Sequence, residues 1–259
     1  DHLSGGRCDM GVAKGFVPHE FDAFHIDQAE VPERIAEGLE ICQKFWAGSP
    51  FAFEGKFFNF EKLQPWPPAV NGALPIWNAA SNSKKSFINA AARGYRLMMN
   101  HYPMSADAVA EKFGWYCESW EKVGRRSADR KAMVTFMAHI ADTEEEAMEQ
   151  GKAALQEHAG AFRKVMKGDQ WNTDWAGDVS TLLDMCENDD WRDVFRRRTL
   201  ICSPEQAAER IQHYLDLGFT EISFTARFAG LTHDQTMTTI RRISDEVVPM
   251  LGLSREAAE

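Results

Sequence analysis

The alternation of apolar and polar positions divides the chain into short buried runs and longer helical stretches. Between Val31 and Trp46 the apolar residues Ile35, Leu39, Ile41, Cys42 and Phe45 recur at helical spacing. Pro32 suits a first turn and Gly48 a stop, so this spacing predicts a helix. Further helices are predicted from Ser83 or Lys84 to Ala92, closed by Gly94, and from Ala106 to Val123, where Val109, Phe113, Tyr116, Cys117 and Trp120 share a face. Thr143 with Glu146 forms a capping-box signal for another. Ser203-Pro204-Glu205-Gln206 opens one running to Leu217, and Thr232 to Met250 gives the last. Five apolar runs read as strands: Cys8 to Ala13, Leu74 to Ala80, Arg96 to Asn100, Ala132 to Ala141 and Glu221 to Ala226. Phe51 to Glu54 and Gly55 to Phe60 suggest a small hairpin, and Pro65, Pro67 and Pro68 an extended connector. Phe21 to Glu30 lacks a period and reads as loop. Strands alternating with helices predict a parallel α/β sheet.

Two stretches interrupt this rhythm. Leu3 to Glu20 reads as a helix end, a Ser-Gly-Gly turn, a buried strand and a loop entered through Lys14-Gly15, where a cation and a glycine could receive an anion. Residues 160–200 lose the pattern and carry Trp171, Trp175 and Trp191 among many acids. Such an interruption is an insertion or lid, or else a surface excursion anchored by its tryptophans.

Composition narrows the class. With 259 residues the chain suits one large domain, and its net charge of −10 argues against nucleic-acid or anionic-membrane partners. Five cysteines are scattered without CxxC spacing and read as reduced thiols. No apolar run approaches the roughly 20 residues that span a bilayer, so a soluble cytoplasmic protein is expected. The chain begins at Asp1, inside what reads as the last turn of a helix.

In parallel α/β folds ligands bind at the C-terminal ends of strands. The most informative such place is the segment from Asn78 to Ser86, NAASNSKKS. A helix start exposes unpaired N–H groups, and Asn82, Ser83 and Ser86 add amide and hydroxyl donors suited to a phosphate. Lys84 and Lys85 oppose the helix dipole, which an anion would relieve. A plain Ser83 cap is the alternative. His101 beside Tyr102 faces a substrate or caps a loop, and Arg227 and His233 flank Gly230 with a solvated default. Cys8 reads as core rather than nucleophile. His19-Glu20 does not open a zinc motif, because position 23 is Ala23.

The run LSGGR followed by GVxxG and PHEF, then PERIAEGLEICQKFW, FEGKFFNF, PPAVNGALPIWNAASNSKKSFINAAARG, GLTHDQ and EVVP, resembles the flavin-dependent members of the bacterial luciferase-like monooxygenase family. The resemblance spans nearly the whole chain. It implies a (β/α)₈ TIM-barrel fold whose fourth strand follows the Ser-Gly-Gly-Arg turn, so the five strands would be the last five units and about three would precede them. It implies reduced FMN, supplied by a flavin reductase, with dioxygen and a small organic substrate as co-reactants, and a homodimer formed through barrel-flanking helices. The FMN phosphate would be held by the Lys14-Gly15-Phe16 run and by Asn82, Ser83 and Ser86. The family more often carries arginine where Lys14 stands, which would weaken the clamp. Its catalytic histidine follows early strands and has no counterpart here, so no catalytic residue is assigned and the chain alone would be inactive. The alternatives are a deazaflavin-dependent oxidoreductase of the same fold, a non-catalytic flavin-binding homologue and a phosphate-binding barrel isomerase.

Overall fold

The computed structural model describes residues 1–102, 104–165, 191–228 and 230–253. The chain forms two compact units, Asp1–Ala79 and Ala80–Glu259.

In the first unit a 3₁₀ turn at His2–Ser4 ends on Gly5 in the left-handed region, φ 66°. Strand β1 (Met10–Val12) follows, then helix α1 (Pro18–Ala23) and helix α2 (Val31–Ala47). Strands β2 (Phe51–Glu54) and β3 (Asn59–Leu63) form the expected antiparallel hairpin, and β4 (Ile76–Ala79) pairs with β1 in parallel from Met10↔Ile76 to Val12↔Asn78. The loop expected over Phe21–Glu30 is not one throughout. Pro18 pre-sets the first turn of α1, and the Asp27 carboxylate accepts from Ala29 N at 2.8 Å to open a 3₁₀ turn at Gln28–Glu30. Both elements are too short to display a period.

One carboxylate fixes the hairpin turn. Glu37 of α2 accepts from Lys56 N at 2.9 Å, Phe57 N at 3.0 Å and Phe58 N at 3.3 Å. Desolvation works against its charge, but these three donors outweigh it and hold the carboxyl below its ordinary pKa. A Cβ at Gly55 would lie 2.5 Å from Glu37 Oε2, so a side chain there would displace the carboxylate from the turn. Glu37→Ala is expected to raise amide hydrogen exchange at 56–58 by roughly tenfold while β4 keeps its protection. Unchanged exchange would remove the clamp.

The second unit is built on strand β6 (Ala132–Ile140), which is buried along nearly its whole length, as a strand covered on both faces should be. Its first half pairs in parallel with β5 (Arg96–Asn100), from Leu97↔Ala132 to Asn100↔Thr135. It also pairs with β8 (Glu221–Thr225), from Met133↔Glu221 to Met137↔Thr225. Its last residues pair with β7 (Leu200–Cys202) from Ala138↔Leu200 to Ile140↔Cys202. The five predicted strands are therefore all present, but the described residues hold six parallel strands, because β7 carries no recognisable sequence pattern. Three fully buried residues after an arginine run give too little sequence signal. Thr199 makes that corner, donating its hydroxyl to Phe195 O at 2.8 Å and accepting from Ile201 N at 3.2 Å.

The helices of this unit follow their caps. Ser105 accepts from Ala108 N at 3.3 Å and opens α4 (Ala106–Lys122), preceded in the chain by α3 (Lys84–Arg93). Thr143 accepts from Glu146 N at 3.2 Å and opens α5 (Glu144–Val165). Helix α6 (Trp191–Arg198) precedes β7, and full capping boxes at Ser203/Gln206 and Thr232/Gln235 open α7 (Pro204–Asp216) and α8 (His233–Arg242). The last helix is not continuous to Met250: a π-helical turn occupies Ile243–Val247, where Pro249 removes an N–H from the ladder. Of the interruption expected at residues 160–200, residues 166–190 lie outside the described residues.

His101, expected from sequence either to face substrate or to cap a loop, is enclosed in the core and bonded to the carbonyl that ends α6. It is 2% exposed, stacks on Phe136 at 4.8 Å, receives the Tyr214 hydroxyl at Nε2 and lies 3.0 Å through Nδ1 from Arg198 O. Those partners select the neutral ring with its proton on Nδ1. Burial lowers its pKa from 6.5 to about 4. The unfolded chain then takes up a proton below pH 6.5 that the folded protein refuses, so the His101 contribution is complete above 6.5 and lost as pH falls towards 4. Between pH 7 and pH 5 this group alone is expected to cost roughly 2 kcal/mol of stability in denaturant titrations. A His101→Gln variant should lose less over that window, and an identical loss would contradict the assignment.

Candidate functional site

The start of α3 is an unusual helix terminus. Ser83 occupies the N-cap position in extended geometry, φ −73° and ψ 109°, yet its side chain makes no capping hydrogen bond. Its hydroxyl is therefore not spent on the plain cap that sequence offers as the alternative. No acid lies in the first turn. Ser86 follows half-buried, its N–H donating to Ser83 O at 2.8 Å. One residue before the cap, Asn82 Nδ2 is closed to solvent and has no hydrogen-bond partner among the described residues. Leaving such a donor unmet costs about 1–3 kcal/mol, so its retention calls for an explanation.

Two residues of α4, one turn apart, support this corner. Lys112 donates to Asn82 Oδ1 and reaches Met104 Sδ at 3.5 Å. Trp115 lies edge-on to Phe87 with ring centroids 5.8 Å apart, and the Lys84 ammonium sits 5.3 Å from the Trp115 ring centroid. The cation–π contact accounts for part of why a lysine is tolerated in the first turn, so Lys84 is weaker evidence for an anion than its position alone suggested. Lys112 was not singled out from sequence. The available signal was its place three residues after Val109 and one before Phe113, both buried, where a lysine breaks an apolar face. The side chains of Asn82, Ser83 and Ser86, the amides at the helix start and the nearby ammonium groups form a donor set suited to a phosphate.

Lys14, Gly15 and Phe16 belong to the first unit, in the loop between β1 and α1, and all three are exposed. Gly15 has φ 75°, a conformation that favours glycine, and a Cβ there would press on Phe21 Cζ at 3.1 Å. The remaining candidates separate quickly. Arg227 and His233 are exposed, as their solvated default anticipates, while Gly230 (φ 83°) lies so close to α5 that a Cβ would meet Ala154 Cα at 3.0 Å. Cys8 precedes β1 and is half-buried rather than core.

A parallel sheet whose strands lead into helices, with a phosphate-type donor set at one helix start, places the chain in the α/β class. The chain belongs to the luciferase-like monooxygenase family, which matches residues 1–221. It is 22% identical over 263 residues to the oxygenase component of flavin-dependent trigonelline monooxygenase from Acinetobacter baylyi, covering 98% of this chain and 71% of that protein. The oxygenating constituent of 3,6-diketocamphane monooxygenase from Pseudomonas putida, solved in complex with FMN, superposes with TM-score 0.72 at 19% identity over 97% of this chain and 73% of that one. The coenzyme F420 dependent tetrahydromethanopterin reductase of Methanopyrus kandleri gives TM-score 0.68 at 16% identity, over 96% and 76%. The fold is thus of the TIM-barrel type that the sequence resemblance implied. No helix among the described residues is long and apolar enough to cross a membrane.

Asn82→Asp keeps an acceptor for Lys112 but replaces the unmet donor with an oxygen. In thermal unfolding without added ligand the variant is expected to be at least as stable as the parent, and in calorimetry to bind inorganic phosphate at least about tenfold more weakly. Lower stability with unchanged phosphate affinity would contradict the reading of Nδ2 as a ligand-facing donor.

Proposed function

We propose that the protein is the oxygenase component of a flavin-dependent monooxygenase, which takes reduced FMN from a separate flavin reductase and oxygenates a small organic substrate with dioxygen. The single observation that carries the cofactor assignment is the α3 start, where a buried donor and an unused cap hydroxyl lie beside two first-turn lysines. Family membership and the flavin named for the trigonelline enzyme point the same way. Reduced FMN, when bound, supplies the two electrons that send one oxygen atom of O2 into substrate and the other into water. The chain's own part is to bind and orient. Asn82, Ser83 and Ser86 would hold the phosphate oxygens and the first-turn N–H groups would complete their coordination, while Lys14, Gly15 and Phe16 of the first unit are proposed as further cofactor-binding residues. Lysine at position 14 contributes charge without the two-pronged fork of arginine. We further propose a cytoplasmic homodimer. A deazaflavin-dependent oxidoreductase is the second reading, favoured by the fold shared with the F420-dependent reductase.

Fluorescence titration of the flavin-free protein distinguishes these. FMN is expected to bind more tightly than riboflavin, which lacks the phosphate. Ser83→Ala with Ser86→Ala is expected to weaken FMN by tenfold or more, with riboflavin unaffected, since each lost charge-assisted hydrogen bond is worth about 1.5–3 kcal/mol. Equal affinity for the two flavins would remove the site assignment, and tight binding of a deazaflavin alone would favour the second reading.

A further inference from the structure

Lys112 lies on α4, thirty residues beyond the phosphate-site residue that it touches. Its helix packs against α3 through Trp115 and Phe87, and it emerges between the buried Val109 and Phe113 beneath the start of α3. At that place it does one chemically specific thing. An amide side chain can present either its oxygen or its nitrogen, and the two orientations are nearly equal in shape. An ammonium group is donor only, so it can be met only by Oδ1. With Oδ1 of Asn82 turned to Lys112, the other end of the amide is fixed as the donor Nδ2, which is closed to solvent and has no partner among the described residues. A flipped amide would place two donors against each other and turn an oxygen towards any bound anion. The lysine therefore selects the one orientation that can serve an anion. It also adds positive charge beneath a helix start already carrying Lys84 and Lys85 without an acid, in a chain whose net charge is −10.

We propose that Lys112 is a positioning residue of the cofactor phosphate site, acting through the Asn82 amide, which it holds in the orientation that donates to the phosphate. This rests on the phosphate assignment above and deepens it. It makes three specific demands. Losing Lys112 should weaken phosphate recognition without weakening recognition of the flavin ring. Its effect should vanish where Asn82 cannot donate. A lysine-to-arginine change, which retains a donor-only cation, should preserve most of the effect.

The test is a flavin titration of the protein with both FMN and riboflavin, on Lys112→Met, Lys112→Arg, Asn82→Leu and the double variant Lys112→Met/Asn82→Leu. Lys112→Met is expected to lower FMN affinity about five- to tenfold and leave riboflavin affinity unchanged, with Lys112→Arg closer to the parent. The double variant is expected to be no weaker for FMN than Asn82→Leu alone. Losses that multiply in the double variant would overturn action through Asn82, and an equal loss for riboflavin would overturn a phosphate-specific role. If Lys112→Met fails to fold, the arginine variant together with Asn82→Leu still decides: arginine weakening FMN as far as leucine does would overturn the proposal. Failure of the phosphate assignment itself has a different signature, because the parent protein would then show no preference for FMN over riboflavin. If the parent does prefer FMN and the serine variants abolish that preference while Lys112→Met does not, this inference alone falls.

Discussion

A buried hydrogen-bond donor with nothing to donate to is a standing cost, and folded proteins rarely keep one. Asn82 Nδ2 is such a donor, and its position immediately before a helix start is what gives the site its meaning. The amide is not idle by neglect. Its oxygen is engaged by Lys112, so the side chain is held from one end and left open at the other. Next to it, the N-cap serine withholds its hydroxyl from the helix it caps. Two polar groups that each forgo a local bond are most simply explained by an acceptor that completes both, and a phosphate has oxygens enough for both and for the first-turn amides besides.

The second unit supplies the stiffness that such a site needs. Strand β6 is shared by three parallel partners, and seven of its nine residues are buried. Tyr116 of α4 donates its hydroxyl to Tyr95 O at 2.9 Å just after α3 ends, and Phe113 stacks on Phe219 at 4.1 Å before β8 begins. Helix α4 is thereby tied to the entries of two strands. The corner made by Asn82 and Lys112 hangs on that helix, so its geometry is inherited from core packing rather than set by the loop itself.

Most of this organisation was legible in the sequence, for reasons that differ by element. Helices α2, α4, α7 and α8 were readable because long apolar faces coincide with caps at Ser105, Ser203 and Thr232. Strands β5 and β6 were readable because they are apolar and bounded by turns. Strand β7 and helix α1 were not, since elements of three and six residues are too short to show a period and owe their form to tertiary pairing or to a proline. For His101 the strand-end position leaves a substrate-facing and a loop-capping role open, and only the structure reveals the Arg198 carbonyl and Tyr214 hydroxyl that enclose it. In the same way Ser83 could be named as a helix start, but its unused hydroxyl and the lysine reaching from α4 belong to three-dimensional neighbours. The sequence resemblance carried the family, and the phosphate site proposed here draws on both that resemblance and the physical reading of Asn82, Ser83 and Ser86.

The role of Asn82 and of the α3 start is decided by where the phosphate of a bound flavin rests. A crystal structure of the protein with FMN should place phosphate oxygens within hydrogen-bond distance of Asn82 Nδ2 and of the Ser83 and Ser86 side chains, with Lys112 still engaging Asn82 Oδ1. A phosphate bound elsewhere, with the Asn82 amide turned and the Ser83 hydroxyl closed onto its own helix as a simple cap, would contradict it.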